Sequence, residues 1–171
     1  MRISVEPGEK TAEVRHFIDL VWPPGSNADS PVAHIVWDTN YAFRILARDD
    51  EGAIVSHIGA ILRHGIWNGS RVLLGGVGHV GTHPLSRGQG YATQAMEHAA
   101  RVFGKRGAGF AALFCATETM AFYERFGWRR FDGSVFIEQP GNDRMPWSNC
   151  MTFDIKLSPR GGVLELCGKP W

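Results

Sequence analysis

Between His79 and Ala92 the chain reads His-Val-Gly-Thr-His-Pro-Leu-Ser-Arg-Gly-Gln-Gly-Tyr-Ala, a strand-like run that passes through a glycine-rich turn into a helix-like pattern. A helix start of this kind leaves backbone N–H groups unpaired at the positive end of the helix dipole, which suits a phosphate or pyrophosphate. Gly88 and Gly90 can take positive φ or let a ligand lie against bare backbone. The amides of Gln89, Gly90, Tyr91 and Ala92 then converge on an anion, and Arg87 adds a charged donor. The pattern lacks the Gly-Lys-Ser/Thr ending of a P-loop, and two glycines are too few for the dinucleotide fingerprint. Taken alone, the same glycines also suit a tight strand-to-helix turn that holds no ligand.

The elements around this turn follow from periodicity. Arg2 to Val5 alternates as a first strand. Glu9 to Val21 carries Val14, Phe17, Ile18 and Val21 at helical spacing, and Trp22-Pro23-Pro24-Gly25 stops it. After a loop containing Pro24, Gly25 and Asn27, Ser30 to Trp37 reads as a second short helix. Tyr41 to Arg48 and Ala53 to Trp67 read as strands, and Asn68-Gly69 is a strong hairpin signal that returns the chain along Arg71 to Thr82. Two long antiparallel strands therefore deliver the chain to the glycine turn. Beyond it, Ala92, Ala95, Met96, Ala99 and Phe103 form one apolar helix face, closed by Gly104-Lys105-Arg106-Gly107. Phe110 to Cys115 is a continuous apolar run and hence a buried strand parallel to its neighbour. Thr117 is placed to cap a helix from Glu118 to Phe126, with Gly127 after its end. Strands follow around Arg130 to Ile137 and Asn149 to Leu157, separated by the loop Gln139 to Ser148. The tail Ser158 to Trp171 reads as irregular.

Composition narrows the class. The chain has 171 residues, is 44% hydrophobic and 20% charged, and carries a net charge of +1. That is a globular domain with a real core and no electrostatic case for nucleic acid or a membrane surface. No apolar run approaches ~20 residues, and the first residues have no signal-peptide core. Cys115, Cys150 and Cys167 are odd in number and lack Cys-x-x-Cys spacing, as in a reduced cytoplasmic protein. The seven histidines show neither zinc spacing nor a His-Glu-x-x-His pattern, so no metal is expected.

Arg87-Gly-Gln-Gly-Tyr-Ala92, preceded by Thr82-His83-Pro84 and followed by an alanine-rich helix, resembles the GNAT superfamily of acetyl-CoA-dependent N-acetyltransferases. So does Ala121-Phe122-Tyr123-Glu124-Arg125-Phe126-Gly127-Trp128 after the next strand, and the element order matches through nearly the whole chain. The resemblance implies an α+β fold with a mixed, mostly antiparallel sheet of six to seven strands and about four flanking helices. It also implies one domain over residues 1–171, with 158–171 near the acceptor site. In that family the glycine turn holds the coenzyme A pyrophosphate, and Val80, Gly81 and Thr82 offer backbone groups to the acetyl carbonyl and pantetheine arm. Gly52 to Ala60, Ile66-Trp-Asn-Gly69 and Cys167-Gly-Lys-Pro-Trp171 are more narrowly similar to the aminoglycoside 2′-N-acetyltransferases. Those enzymes carry an acceptor-binding acid where this chain has Gly78, and an aspartate near the tail end where it has Lys169.

The implied chemistry is direct attack of a neutral amine on the thioester, with proximity supplying much of the acceleration. A backbone N–H of Val80 or Gly81 would stabilise the oxyanion. Tyr123 matches the family's general acid, since a phenol of pKa ~10 can protonate a thiolate of pKa about 8.5 across a hydrogen bond. At its spacing with Phe122 and Phe126 it also suits plain packing. His79 has the pKa range of a base. Strict alternation turns it away from Val80 and Thr82, whereas a bulge beside the glycine turn would turn it back. A water relay and the Trp171 carboxylate are the other routes for that proton. Asp38, Gly78 and Trp171 are the expected acceptor-binding positions; Asp132, Asp143 and Glu165 are further carboxylates whose place the sequence does not give, and Trp37, Trp67 and Trp147 suit either a sugar acceptor or plain core filling. The expected acceptor is a small primary amine, such as an amino sugar. A peptide acceptor and a non-catalytic acyl-CoA-binding module are the alternatives. Monomer and homodimer are both compatible with the pattern.

Overall fold

A computed structural model describes residues 1–26 and 28–171; Asn27, which the sequence places in the loop after the first helix, lies outside them. The first strands are β1 (Arg2–Pro7), β2 (Phe43–Arg48), β3 (Ile54–Trp67) and β4 (Ser70–Thr82). Each pairs antiparallel with the next. The Asn68-Gly69 turn has positive φ at both residues, which matches the twist of a two-residue hairpin. Strand β5 (Phe110–Phe114) joins β4 in parallel, but only from Leu74 to Val77. From Gly78 to Thr82, β4 therefore runs on without β5 beside it. Strands β6 (Arg129–Arg130), β7 (Asp132–Gln139), β8 (Asp143–Trp147), β9 (Cys150–Asp154) and β10 (Gly161–Glu165) complete the sheet. Its main path is β6-β9-β5-β4-β3-β10-β7-β8.

Helix α1 (Ala12–Val21) is capped by Thr11, whose side chain accepts from the Val14 amide, and it buries Val14, Phe17 and Ile18 against Leu46 and Ile54. Helix α2 (Tyr91–Lys105) buries Ala95, Met96, Ala99 and Phe103 on one face of the sheet with Phe43, Ile45, Val77 and Leu113. Its apolar stripe is the one read from the sequence. Gly107 ends it in the left-handed region, where the amides of Gly107 and Ala108 bond back to Gly104 and Phe103. The other face of the sheet is filled by Tyr41, Leu74, Phe110, Ile137, Leu164, Leu166 and Trp171.

The fold is the expected mixed, mostly antiparallel α+β sheet; among the described residues it has ten strands rather than six or seven, and three α-helices rather than about four. Five sequence expectations are corrected. Ser30 to Trp37 is not a helix; it makes isolated turn bonds from Ala33 to Ser30 and from Ile35 to Val32. Ile35 is buried but Val32 and Val36 stay exposed, so no continuous apolar face docks to offset helix nucleation. Gln139 instead bonds both backbone groups of Val36. The helix assigned to Glu118–Phe126 is a 3₁₀ turn at Thr117–Thr119 followed by α3 (Met120–Glu124). Thr117 does not cap it; its hydroxyl accepts from Asn149 Nδ2 at 3.2 Å. The amides of Gly127 and Trp128 close it by bonding back to Glu124 and Tyr123. Finally, the Gln139–Ser148 loop contains β8, and the irregular tail contains β10. That strand lies between β3 and β7, antiparallel to one and parallel to the other. Such pairing depends on partners distant in sequence, which local pattern does not report.

Candidate active site

The site begins where β4 and β5 part. Gly59 pairs with Gly78 and His57 with Gly81, so Ile58 of β3 faces two residues, His79 and Val80. This is a β-bulge, and its first residue, His79, has φ +46°. The bulge breaks the alternation that strict strand geometry assigns to His79 and Val80. A non-glycine residue in this region costs roughly 1 kcal/mol or more, so its surroundings must hold it there.

They do so with buried polar groups. His79 Nδ1 lies 2.7 Å from the Tyr41 hydroxyl. His57 Nδ1 lies 2.8 Å from the His79 carbonyl oxygen, and His57 Nε2 lies 2.8 Å from Arg44 Nη1. A guanidinium only donates, so His57 Nε2 accepts and its Nδ1–H donates to the His79 carbonyl. Burial pushes the His57 pKa down to about 3 and that of His79 to about 4, with Lys10 and Arg44 adding to the latter. Both rings are neutral near pH 7. Burial also raises the Tyr41 pKa, which keeps it a protonated phenol.

Beyond the bulge, His83 accepts from the Leu85 amide and opens the 3₁₀ turn Pro84–Ser86. Gly88 and Gly90 follow with φ +75° and +81°, and nothing crowds the point where either would carry a Cβ. Backbone conformation, not space, therefore demands glycine there. Gly90 caps α2 without a side chain, and the first turn of α2 holds no acidic residue. Its leading amides and dipole are left unneutralised.

A cavity of about 570 Å³ connects these parts. It is lined by Val80, Gly81, Thr82, Arg87, Gly88, Gly90, Tyr91 and Ala92, all named from the sequence, and by Trp22, Phe122, Arg125 and Phe126, which were not assigned to a site. Gln89 does not line it; its amide side chain turns back to the Leu85 carbonyl at 3.4 Å. Trp22 lies against Gly81, where a Cβ would meet its ring at 2.5 Å. No local signal marks Trp22 beyond its place at the end of α1. The volume falls in the range of ligand pockets, about 300–1,000 Å³, and exposed Arg87 and Arg125 beside an uncapped helix start fit a polyphosphate.

Tyr123 is not part of the cavity wall. It is half-buried, with Phe122 at 5.1 Å and Trp128 at 6.4 Å between ring centroids, and borders the same core as Val80 and Cys115. Burial, then Cys115, raises its pKa, so it holds its proton at neutral pH. On the other face, Gly78 has no room for the acid that the aminoglycoside pattern places there. A Cβ would meet the Tyr41 hydroxyl at 2.6 Å and Trp171 main chain at 3.1 Å. Asp38 pairs with Arg63 at 2.5 Å. Arg63 also donates to the Lys169 carbonyl and lies over the Trp171 ring. The Trp171 indole is buried against Gly76 and donates to the Ala112 carbonyl at 3.2 Å. Asp143 lies on edge strand β8, Glu165 pairs with Arg144 at 2.7 Å, and Asp132 begins β7. Trp37 and Trp147 pack edge to face at 5.6 Å, and Trp67 packs on Phe110. Among the described residues no cluster of His, Cys, Asp or Glu can hold a metal, and no helix is long and apolar enough to cross a membrane.

Residues 27–131 match the family model described as the acetyltransferase (GNAT) domain. The chain belongs to this family. It is therefore an acyltransferase. No curated protein sequence matches the chain. Its fold is similar to that of the GNAT family N-acetyltransferase YhbS from Escherichia coli in complex with CoA, at 19% identity and a TM-score of 0.68, covering 97% of this chain and 89% of that one. A GNAT family acetyltransferase from Brucella melitensis in complex with acetyl-CoA is similar at 16% identity and a TM-score of 0.62, covering 95% and 94%. Naa20 from Chaetomium thermophilum, in complex with a bisubstrate analogue, is similar at 13% identity and a TM-score of 0.59, covering 96% and 97%. In this GNAT chain, the splayed end of β4, the glycine turn and the Phe122–Phe126 segment surround a single cavity.

Proposed function

We propose that this protein is an N-acetyltransferase that moves the acetyl group of acetyl-CoA to a primary amine of a small molecule, such as an amino sugar. The observation that carries this reading is the cavity joining the open flank of β4 to the uncapped start of α2. The amides opening α2, with Arg87 and Arg125, bind the coenzyme's phosphates. The Val80 and Gly81 backbone takes the acetyl carbonyl and the oxyanion that develops on it. Tyr123, protonated at neutral pH and packed beside Val80 behind the cavity wall, is assigned the return of a proton to the departing thiolate. His79, neutral and edge-on to Trp22 at 5.3 Å, receives the proton of the attacking amine on Nε2, the nitrogen that does not face Tyr41. Only the neutral ring has a lone pair to take that proton, since both nitrogens of an imidazolium are donors.

Residues 1–171 act as one domain, and the 158–171 tail forms a wall of the acceptor side. The tail's geometry supports a small acceptor over a peptide. Gly168, Lys169 and Pro170 accept backbone or side-chain bonds from Glu138, Arg63 and Asp38, and Trp171 covers Gly76. This strap occupies the glycine-bare face along which an extended peptide would lie. With Gly78 bare and Asp38 tied to Arg63, the acceptor has few cationic groups to satisfy.

The test is thiol release from acetyl-CoA across a panel of amino sugars, aminoglycosides, arylamines and peptides with free N-termini. Turnover confined to small amines is the expected result. Turnover confined to peptides overturns the acceptor class, and no turnover with any amine overturns the catalytic reading.

A further inference from the structure

Both handles of the bulge residue lead back to one buried guanidinium. Arg44 is 2% exposed and has no carboxylate partner among the described residues. Its Nε donates to the Gly8 and Glu9 carbonyls at 3.1 Å each, and its Nη1 donates to His57. The guanidinium carbon also lies 5.1 Å from the Tyr41 ring centroid. His57 in turn holds the His79 carbonyl, and Tyr41 holds the His79 ring.

We infer that His57, backed by Arg44, is a positioning residue that aims the Val80 amide at the acetyl carbonyl. The peptide joining His79 to Val80 is planar and trans, with no cis bond in the described chain. Its N–H therefore points opposite to its carbonyl. His57 sits on β3 and holds that carbonyl on the β3 side. The Val80 N–H consequently faces the other side of β4, into the gap that β5 leaves after Val77. Arg44 fixes the direction of the whole relay. By occupying His57 Nε2 with a donor, it confines the ring proton to Nδ1, where the bulge carbonyl needs it. An oxyanion donor acts through being aimed before the reaction starts, and a left-handed histidine does not hold its aim by backbone preference. His57 is fully buried, touches neither the cavity nor its contents, and packs against Phe17 of α1.

The assignment rests on the proposal that the acetyl carbonyl lies against Val80, and the experiment separates the two. Affinities for acetyl-CoA and for S-ethyl-CoA, the thioether lacking the carbonyl, are measured for wild type, His57→Gln and His57→Asn. Glutamine supplies an acceptor to Arg44 without a donor at the Nδ1 position; asparagine keeps that donor. Wild type is expected to prefer acetyl-CoA. His57→Gln should lose roughly tenfold of that preference and about 100-fold in kcat, with thioether affinity unchanged, while His57→Asn recovers most of both. A His57→Gln enzyme that keeps its preference and kcat overturns the role of His57 alone, as does one that loses thioether binding in equal measure. If wild type shows no preference for the carbonyl, the placement against Val80 falls and takes this assignment with it. Independently of any variant, ¹⁵N NMR of the wild-type ring is expected to show the proton on Nδ1; a proton on Nε2 overturns the relay.

Discussion

The Tyr41 hydroxyl oxygen lies 2.7 Å from Nδ1 of His79. The pair can hold its proton in two ways. Either Tyr41 donates and the outer nitrogen of His79 carries hydrogen, or His79 donates to Tyr41 and the outer nitrogen is bare. Only the second is a base toward the attacking amine. Replacing Tyr41 with Phe removes the partner that makes this arrangement available. We expect kcat to fall roughly 10- to 100-fold while the dissociation constant for acetyl-CoA is unchanged. Steady-state rates beside calorimetric titration check this; an unchanged rate removes His79 from the chemistry.

Tyr123 is a neutral phenol near pH 7, and burial raises its pKa further. A general acid must hold a proton at working pH, and Tyr123 does. Tyr123→Phe keeps the ring against Phe122 and Trp128 and deletes only the hydroxyl. Its kcat is expected to fall about 100-fold or more, with acetyl-CoA affinity and thermal stability near wild type. A loss appearing only in affinity would make the residue a packing group.

Gly90 stands at φ +81° immediately before the α2 amides. Gly90→Asp forces a side chain into the left-handed region, at roughly 1 kcal/mol, and sets a negative charge at the proposed position of the coenzyme's phosphates. Affinity for acetyl-CoA should drop at least tenfold, and Gly90→Ala should lose less. Titration of both variants separates backbone strain from charge, and near-normal binding by Gly90→Asp refutes the phosphate assignment.

Stability should fall as the medium is acidified below pH 6.5. Unfolded histidine binds its proton near that pH, whereas His57 in the fold resists protonation until about 3 and His79 until about 4. Between those values the unfolded state holds protons that the native state refuses. Each of the two then removes up to roughly 1.4 kcal/mol per pH unit, and their contribution is fully present above 6.5. His98 is shifted in the same direction. Urea unfolding at about pH 7.5, 6 and 5 measures the slope, which His57→Asn should reduce.

The local parts of the site were legible before the structure. Gly88 and Gly90 announce positive φ, and the stripe Ala95, Met96, Ala99 and Phe103 announces the helix they open. Such signals are carried within one or two turns of chain, where periodicity and glycine content are direct readouts of backbone sterics. Strand β10 was not legible, because Gly161 to Glu165 becomes a strand only through β3 and β7. Trp22 belongs to the cavity only because α1 ends over Gly81.

Sequence alone therefore determined the family and the local form of the glycine turn and the helix it opens, since each is written in contiguous residues. Tertiary structure decided the rest of the site. His79 acquires its bulged backbone from pairing with β3, its ring partner from Tyr41, and its anchored carbonyl from His57 and Arg44. Gly78 carries no acid because Tyr41 and Trp171 fill the space from segments far away in the chain. Hydrogen bonds and excluded volume act between whichever groups folding brings together, and sequence order does not encode those distances.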